Sequence, residues 1–274
     1  MLKLFVNVWL DADVRRNAEL SRALEANSKV FNEVYVWWDT RECQEKYVNP
    51  LLRALLPMGR PTVRTMLEHM RLCGPNEITV LANADIAFDS TIRLAKSHMQ
   101  PGEAWALSRW ERGKLYDCRG SQDAWVFNGL IPPMDDPRLD FPLGTPGIDN
   151  ALVDIMRKAG LTVTNPSRTV RNWHEHASGV RNYLDATGQV KARVPPPYQF
   201  VEPTTLAADK ESRSGIISLL SKTRKWLVGR HPRRETDLTR GSNLQNPAKI
   251  TPNGTASRSE PSPRSGVSFS GSVE

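Results

Sequence analysis

Thr79-Val-Leu-Ala-Asn83-Ala84-Asp85-Ile86 is an apolar strand that runs straight into an Asn-x-Asp turn. Ile78–Ala82 reads as a buried strand, and the turn then puts Asp85 at its carboxyl end. Working outward, Leu2–Leu10 and Val34–Trp38 read as earlier strands. Val14–Asn27 lies between them as a helix with Leu20, Leu24 and neighbouring alanines on one face. Thr62–Leu72 is helical by the spacing of Val63, Met66, Leu67 and Met70, and Ser90–Met99 is a further helix. Ala104–Leu107, Ala124–Phe127 and Leu161–Val163 are shorter strands, and Asp149–Ala159 is a helix closed by Gly160. Strands alternating with helices imply an α/β fold of three layers around a mixed, mostly parallel sheet. Ligands of such sheets lie outside the carboxyl ends of the strands, which gives Asp85 its interest.

The chain has 274 residues, of which 39% are hydrophobic and 24% charged, a globular composition. No run reaches the roughly 18 apolar residues of a membrane span, and the apolar start meets Asp11 and Asp13 at once, so it reads as a strand and not a secretory signal. Cys43, Cys73 and Cys118 are too far apart for a disulfide framework or a zinc knuckle, and a reduced, cytoplasmic protein is expected. The net charge of +7 is unevenly placed. Residues 1–202 hold 25 Lys+Arg against 24 Asp+Glu, while residues 203–274 hold 12 against 6. The folded part is nearly neutral, which speaks against a nucleic-acid-binding domain.

The expected organisation is a catalytic domain over 1–194, a Pro-rich linker over 195–213, a basic amphipathic helix over 214–230 and a disordered basic tail over 231–274. The 214–230 segment either lies on an anionic membrane surface, which would make the protein peripheral at the inner face, or packs its apolar side back on the domain.

Four clusters could carry chemistry. Asp85 could hold a divalent cation against a diphosphate; the plainer reading makes it a turn cap, with Asp89 the nearer helix cap. In Gly120-Ser-Gln-Asp123-Ala-Trp125, Asp123 stands at the start of a strand and Trp125 is a core residue or a sugar platform. In Gly144-Thr-Pro-Gly147-Ile-Asp149-Asn150, Asp149 is a natural N-cap, or a carboxylate able to take a proton from an attacking hydroxyl. His174 and His176, two apart on an extended segment, share a face and suit metal or phosphate, and Arg181 could grip phosphate through its planar fork.

The order of these clusters adds to them. Leu81-Ala-Asn83-Ala-Asp85-Ile86, Ala106-Leu-Ser108-Arg109-Trp110, Ser121-Gln-Asp123-Ala-Trp125-Val-Phe127, Gly147-Ile-Asp149-Asn150, Asn165-Pro-Ser167 and His174-Glu-His176-Ala-Ser178 together resemble glycosyltransferases of the GT-A fold. More narrowly, the series over residues 1–185 is similar to a bacterial and plant group of glycosyltransferase-like proteins. The resemblance implies a Rossmann-related sheet, a nucleotide-diphosphate sugar donor, and a glycan or lipid-linked hydroxyl acceptor. It also implies Mn²⁺ or Mg²⁺ held by Asp85 with His176 or His174, and Asn83, Asp85, Arg109 and Arg181 around the donor. If the reaction inverts, Asp149, or with less claim Asp123, becomes its general base; the sequence does not choose between inverting and retaining chemistry. Asn83 departs from the family's Asp-x-Asp by replacing its first acid with an amide, a poorer ligand for a hard cation. That departure favours the alternative of a non-catalytic nucleotide- or glycan-binding module. A metal-dependent hydrolase built on Asp85, His174 and His176 is a third reading.

Overall fold

A computed structural model describes residues 1–47, 49–180 and 187–206. In chain order these form β1 (Leu2–Val8), α1 (Val14–Val30), β2 (Glu33–Trp38), α2 (Arg41–Lys46), β3 (Leu52–Leu55), α3 (Val63–Met70) and β4 (Ile78–Ala82). There follow β5 (Ile86–Phe88), α4 (Ala95–His98), β6 (Glu103–Leu107), the hairpin β7 (Trp110–Glu111) and β8 (Lys114–Leu115), and β9 (Ala124–Asn128). The series closes with α5 (Ile148–Lys158), β10 (Thr162–Thr164) and β11 (Asn172–His174). The main sheet has seven strands in the order β10-β6-β9-β4-β1-β2-β3, and β5-β11-β7-β8 form a small second sheet beside it.

Side-chain alternation assigns the layers. Leu4 and Val6, Val36 and Trp38, and Val80 point into an apolar cluster with Leu20 and Leu24 of α1. Phe5, Trp37 and Leu81 point to the opposite cluster with Met66 and Met70 of α3 and Leu152 and Met156 of α5. Helices thus cover both faces of the sheet, as the alternation of elements predicts.

Six of the seven strands run parallel; β9 alone is reversed, pairing antiparallel with β4 and β6. The reversal matters for function. Ala124, where β9 begins, sits opposite Ala82 and Leu107, where β4 and β6 end. Asp123 therefore stands at the same edge as Asn83 and Asp85.

Three expected elements differ in detail. Ser90–Met99 is not one helix: Asp89 caps a 3₁₀ turn over Ser90–Leu94, and α4 is a single turn after it. Helix α1 runs three residues beyond Asn27. Helix α5 is capped by Gly147 with φ +92°, so Asp149 is not the cap but a first-turn residue. The left-handed cap turns the chain two residues earlier than a side-chain cap at Asp149 would.

Gly147 is also sterically fixed, since a Cβ there would stand 2.9 Å from Tyr198 Oη and 3.1 Å from the Val194 carbonyl. Gly147→Ala is expected to cost about 1–3 kcal/mol from the backbone alone, with Tyr198 forced to shift as well. Thermal unfolding reads the loss, and an unchanged midpoint would mean that this turn is not constrained as described. Residues 195–206 form no helix or strand, and they are fastened along the domain. Val194 N–H donates to Pro146, Gln199 N–H to Asn150, Val201 N–H to Arg119 and Thr204 N–H to Asn165. The segments 214–230 and 231–274 lie outside the described residues. Among those described, no helix is long and apolar enough to cross a membrane.

Candidate functional site

Strand β11 returns antiparallel to β5 with His174 opposite Ile86. The Glu175 N–H extends that ladder by donating to the Asp85 carbonyl at 2.8 Å. Backbone pairing thus carries His174 to the end of β4, although the two residues are 89 apart in sequence. Asp85 Oδ2 lies 3.0 Å from His174 Nε2 and 3.8 Å from His176 Nδ1. The two imidazoles stack with centroids 4.8 Å apart and planes 8° from parallel, on the shared face expected of residues two apart.

A buried helix face supports this cluster from behind. Arg16 of α1 donates to Asp85 Oδ2 at 2.6 Å, to Glu19 Oε2 at 2.9 Å and to His176 Nδ1 at 2.8 Å. A guanidinium only donates, so His176 accepts through Nδ1, and a cation could use that nitrogen only in place of Arg16. Glu19 in turn accepts from the backbone and the hydroxyl of Ser178, tying the segment after β11 to α1.

Burial opposes charge on Asp85, but the hydrogen bonds and charges of His174 and Arg16 outweigh it and hold the carboxyl well below its ordinary range. Burial likewise opposes charge on His174, yet Asp85 raises it overall. His176 is lowered by burial first, then by His174 and Arg16, and is the neutral imidazole of the pair.

One carboxylate and two imidazoles, with donor atoms all within 4.8 Å of one another, form a donor set that fits a divalent cation. Its two nitrogens favour Mn²⁺ over Mg²⁺, which prefers oxygen ligands and water. Glu111 Oε1 lies 3.0 Å from His174 Nδ1, so a proton kept there would leave Nε2 free as a ligand.

Asn83 plays another part. Its side-chain amide donates to Asp123 Oδ1 at 2.9 Å, and its backbone N–H donates to the Asp123 carbonyl at 3.0 Å. Arg109 holds the other oxygen of Asp123 at 3.1 Å and Ser121 Oγ at 2.9 Å, and its Nε binds Glu111. Tyr116 stacks over the same guanidinium, with 4.4 Å from Arg109 Cζ to the ring centroid. Arg109 is therefore charge-compensated, and Asp123 is fixed on both oxygens.

Asp149 differs from both. It makes no ion pair among the described residues, and its Oδ1 accepts the Asn150 N–H at 3.0 Å. Burial pushes its carboxyl up to about 6, against the Asn150 hydrogen bond and with help from Asp123. A carboxyl poised there can take up a proton near neutral pH.

All these groups line one cavity of about 1310 Å³ at the carboxyl ends of the strands: Asn83, Asp85, Arg109, Asp123, Asp149, His174 and His176. Arg181 lies outside the described residues. The same wall holds residues that the sequence reading passed over, namely Trp9, Arg16, Arg60 and Glu111. Arg16 left a trace in the sequence, since it falls four residues before Leu20 on the apolar face of α1. Trp125 is fully buried and belongs to the core, although one side of it reaches the cavity floor.

No protein-family model and no curated protein matches the chain. Among solved structures it is similar to a protein of Desulfovibrio desulfuricans G20 described as a nucleotide-diphospho-sugar transferase, with a TM-score of 0.41 and 15% identity over 60% of this chain and 78% of that one. It is also similar to 4-diphosphocytidyl-2C-methyl-D-erythritol synthase from Anaerococcus prevotii DSM 20548, with a TM-score of 0.35 and 10% identity over 66% of this chain and 91% of that one. A third similarity, to S. aureus TarS 1-349, has a TM-score of 0.27 and 9% identity over 40% of this chain and 36% of that one. At such scores and identities the likeness says nothing about this chain's chemistry.

Proposed function

We propose that this protein transfers a glycosyl group from a nucleoside-diphosphate sugar to a hydroxyl acceptor. The observation that carries the reading is the meeting, in one cavity, of a metal-type donor set and a lone carboxylate with a raised pKa. Asp85, His174 and His176 would hold Mn²⁺ or Mg²⁺, which would supply positive charge against the donor diphosphate as it departs. Asp149 takes the proton of the attacking hydroxyl through its carboxylate. Asp123 fits that role less well, because Asn83 and Arg109 occupy both of its oxygens. Arg16 keeps Asp85 ionised, and a cation bound by His176 would replace the Arg16 contact to that ring.

Asn83 favours one second reading, a module that binds a nucleotide or a glycan without turning it over. Its amide is turned toward Asp123 and leaves the cation one carboxylate poorer than an Asp-x-Asp would. Calorimetric titration of the full chain with UDP and GDP, with and without Mn²⁺, tests both. The transferase reading expects binding of one nucleotide that tightens about tenfold or more with Mn²⁺, and slow release of free sugar from the matching donor. Metal-dependent binding with an intact donor after prolonged incubation would favour the module. No nucleotide binding at all would overturn the nucleotide-dependent reading.

A further inference from the structure

The cations around the cavity among the described residues fall into three groups. Arg16 and Arg109, deep inside, are matched by Asp85 and Glu19 and by Glu111 and Asp123. Arg60 lies near Asn83. Its Nη2 donates to the Leu143 carbonyl at 3.1 Å, and Nη2 and Asn83 Oδ1 both lie within about 4 Å of the point where a Gly144 Cβ would stand. A bound divalent cation and Arg60 would already exceed the two negative charges of a diphosphate.

Three further cations remain. Arg112 and Lys114 project from the tight β7–β8 hairpin, whose turn holds Arg112 at φ +49°. Arg193 precedes Val194, whose N–H is bonded to Pro146 one residue before Gly147, so it stands beside the turn that presents Asp149. All three are exposed, line the cavity and make no ion pair among the described residues. Among the described residues the anion left to face them is Asp149, whose burial disfavours its charge. A neutral acceptor would leave this excess of like charge uncompensated. A phosphate or carboxylate group would compensate it, and arginine binds both through its planar fork.

We infer that the acceptor is an anionic molecule, a sugar phosphate or a uronic-acid glycan, gripped at the cavity mouth by Arg112, Lys114 and Arg193. The inference rests on the transferase reading. Its test uses the full chain saturated with Mn²⁺ and whichever of UDP or GDP binds, so that the donor site is filled. Glucose 6-phosphate, methyl glucuronide and methyl glucoside are then titrated by ligand-observed NMR. At least one anionic probe should bind about tenfold more tightly than the neutral glycoside and weaken as salt is raised. The anionic probe that binds identifies phosphate or carboxylate as the group read.

The double variant Arg112→Ala/Lys114→Ala, both exposed and safe for folding, should weaken that probe about tenfold while leaving nucleotide affinity within about twofold. Equal binding of the neutral glycoside, or no binding of either anion, overturns the inference. So does a parallel loss of nucleotide affinity in the double variant, which would assign these cations to the donor diphosphate. Failure of both nucleotides to bind falls on the transferase reading itself and takes the inference with it, a result distinct from the other three.

Discussion

Asp149→Asn should lower donor turnover by about 10²- to 10⁴-fold and at the same time make the protein more stable at neutral pH. The two effects share one cause. Burial disfavours the Asp149 carboxylate and raises its pKa to about 6, so the folded state binds this proton more tightly than the unfolded chain does. Asp149 thus favours folding at low pH, and that contribution is lost as pH rises from its unfolded value near 3.8 through about 6. Above that range the carboxylate destabilises the fold, by on the order of 1 kcal/mol once solvent screening of this half-buried group is allowed for. Asparagine keeps the shape and removes the charge. Its melting temperature should match that of the parent protein below pH 4 and exceed it by a few degrees at pH 8. The same group sets the rate profile, since a general base must be unprotonated to act. Turnover should fall tenfold per pH unit below about 6 in the parent protein, and the variant's residual activity should lack that limb. A variant as active as the parent would remove Asp149 from the chemistry and leave Asp123 as the candidate.

The split between legible and illegible parts of the chain follows from the range of the interactions. Strands such as Ile78–Ala82 are buried on both sides, so their composition alone marks them, and the side-chain rhythm of Val63, Met66, Leu67 and Met70 marks α3 just as directly. The pairing of His174 with His176 is also local, because residues two apart on an extended chain share a face whatever the fold. The small sheet is a different matter. Each of its strands is two or three residues long, too short for a period to repeat, and β11 exists only because β5 and β7 flank it. That pairing is what places His174 on Asp85, so the centre of the site depends on contacts that no local pattern encodes. The direction of β9 is equally hidden, since an apolar run reads the same both ways. Arg16 and Glu19 show the limit from the other side: two charged residues in a helix are ordinarily solvated, and only the presence of Asp85, His176 and Ser178 across from them makes their burial affordable. Asp149 stands in the first turn of α5 and not at its cap, because a glycine able to adopt a left-handed cap begins the helix before the acidic residue can.

Asp85→Ala should do more damage than loss of a metal ligand alone. The carboxylate is buried and receives both Arg16 and His174, so its removal leaves the buried guanidinium, unable to lose its proton, with Glu19 as its remaining charged partner among the described residues. Breaking a buried pair so that one charge is left uncompensated costs about 3–5 kcal/mol, and the remaining Arg16–Glu19 pair should hold the loss below that. Asp85→Asn separates the two roles. It retains an acceptor for Arg16 and His174 while removing most of the attraction for a divalent cation, so it should unfold at a temperature between those of the parent and Asp85→Ala. Both variants should lose Mn²⁺-dependent nucleotide binding to the same extent. The pH dependence of stability offers a check that needs no ligand. The depressed pKa of Asp85 contributes stability that is present above the unfolded value near 3.8 and is lost as pH falls below it. The raised pKa of His174 contributes stability that is complete below 6.5 and is lost as pH rises through its folded value. Together they make the pair most stabilising between about pH 4 and 6.5, and this maximum should be blunted in Asp85→Asn. Were the alanine variant to fold as stably as the parent, the Arg16–Asp85–His174 cluster could not be the buried, fully engaged centre on which both the metal site and the nucleotide reading depend.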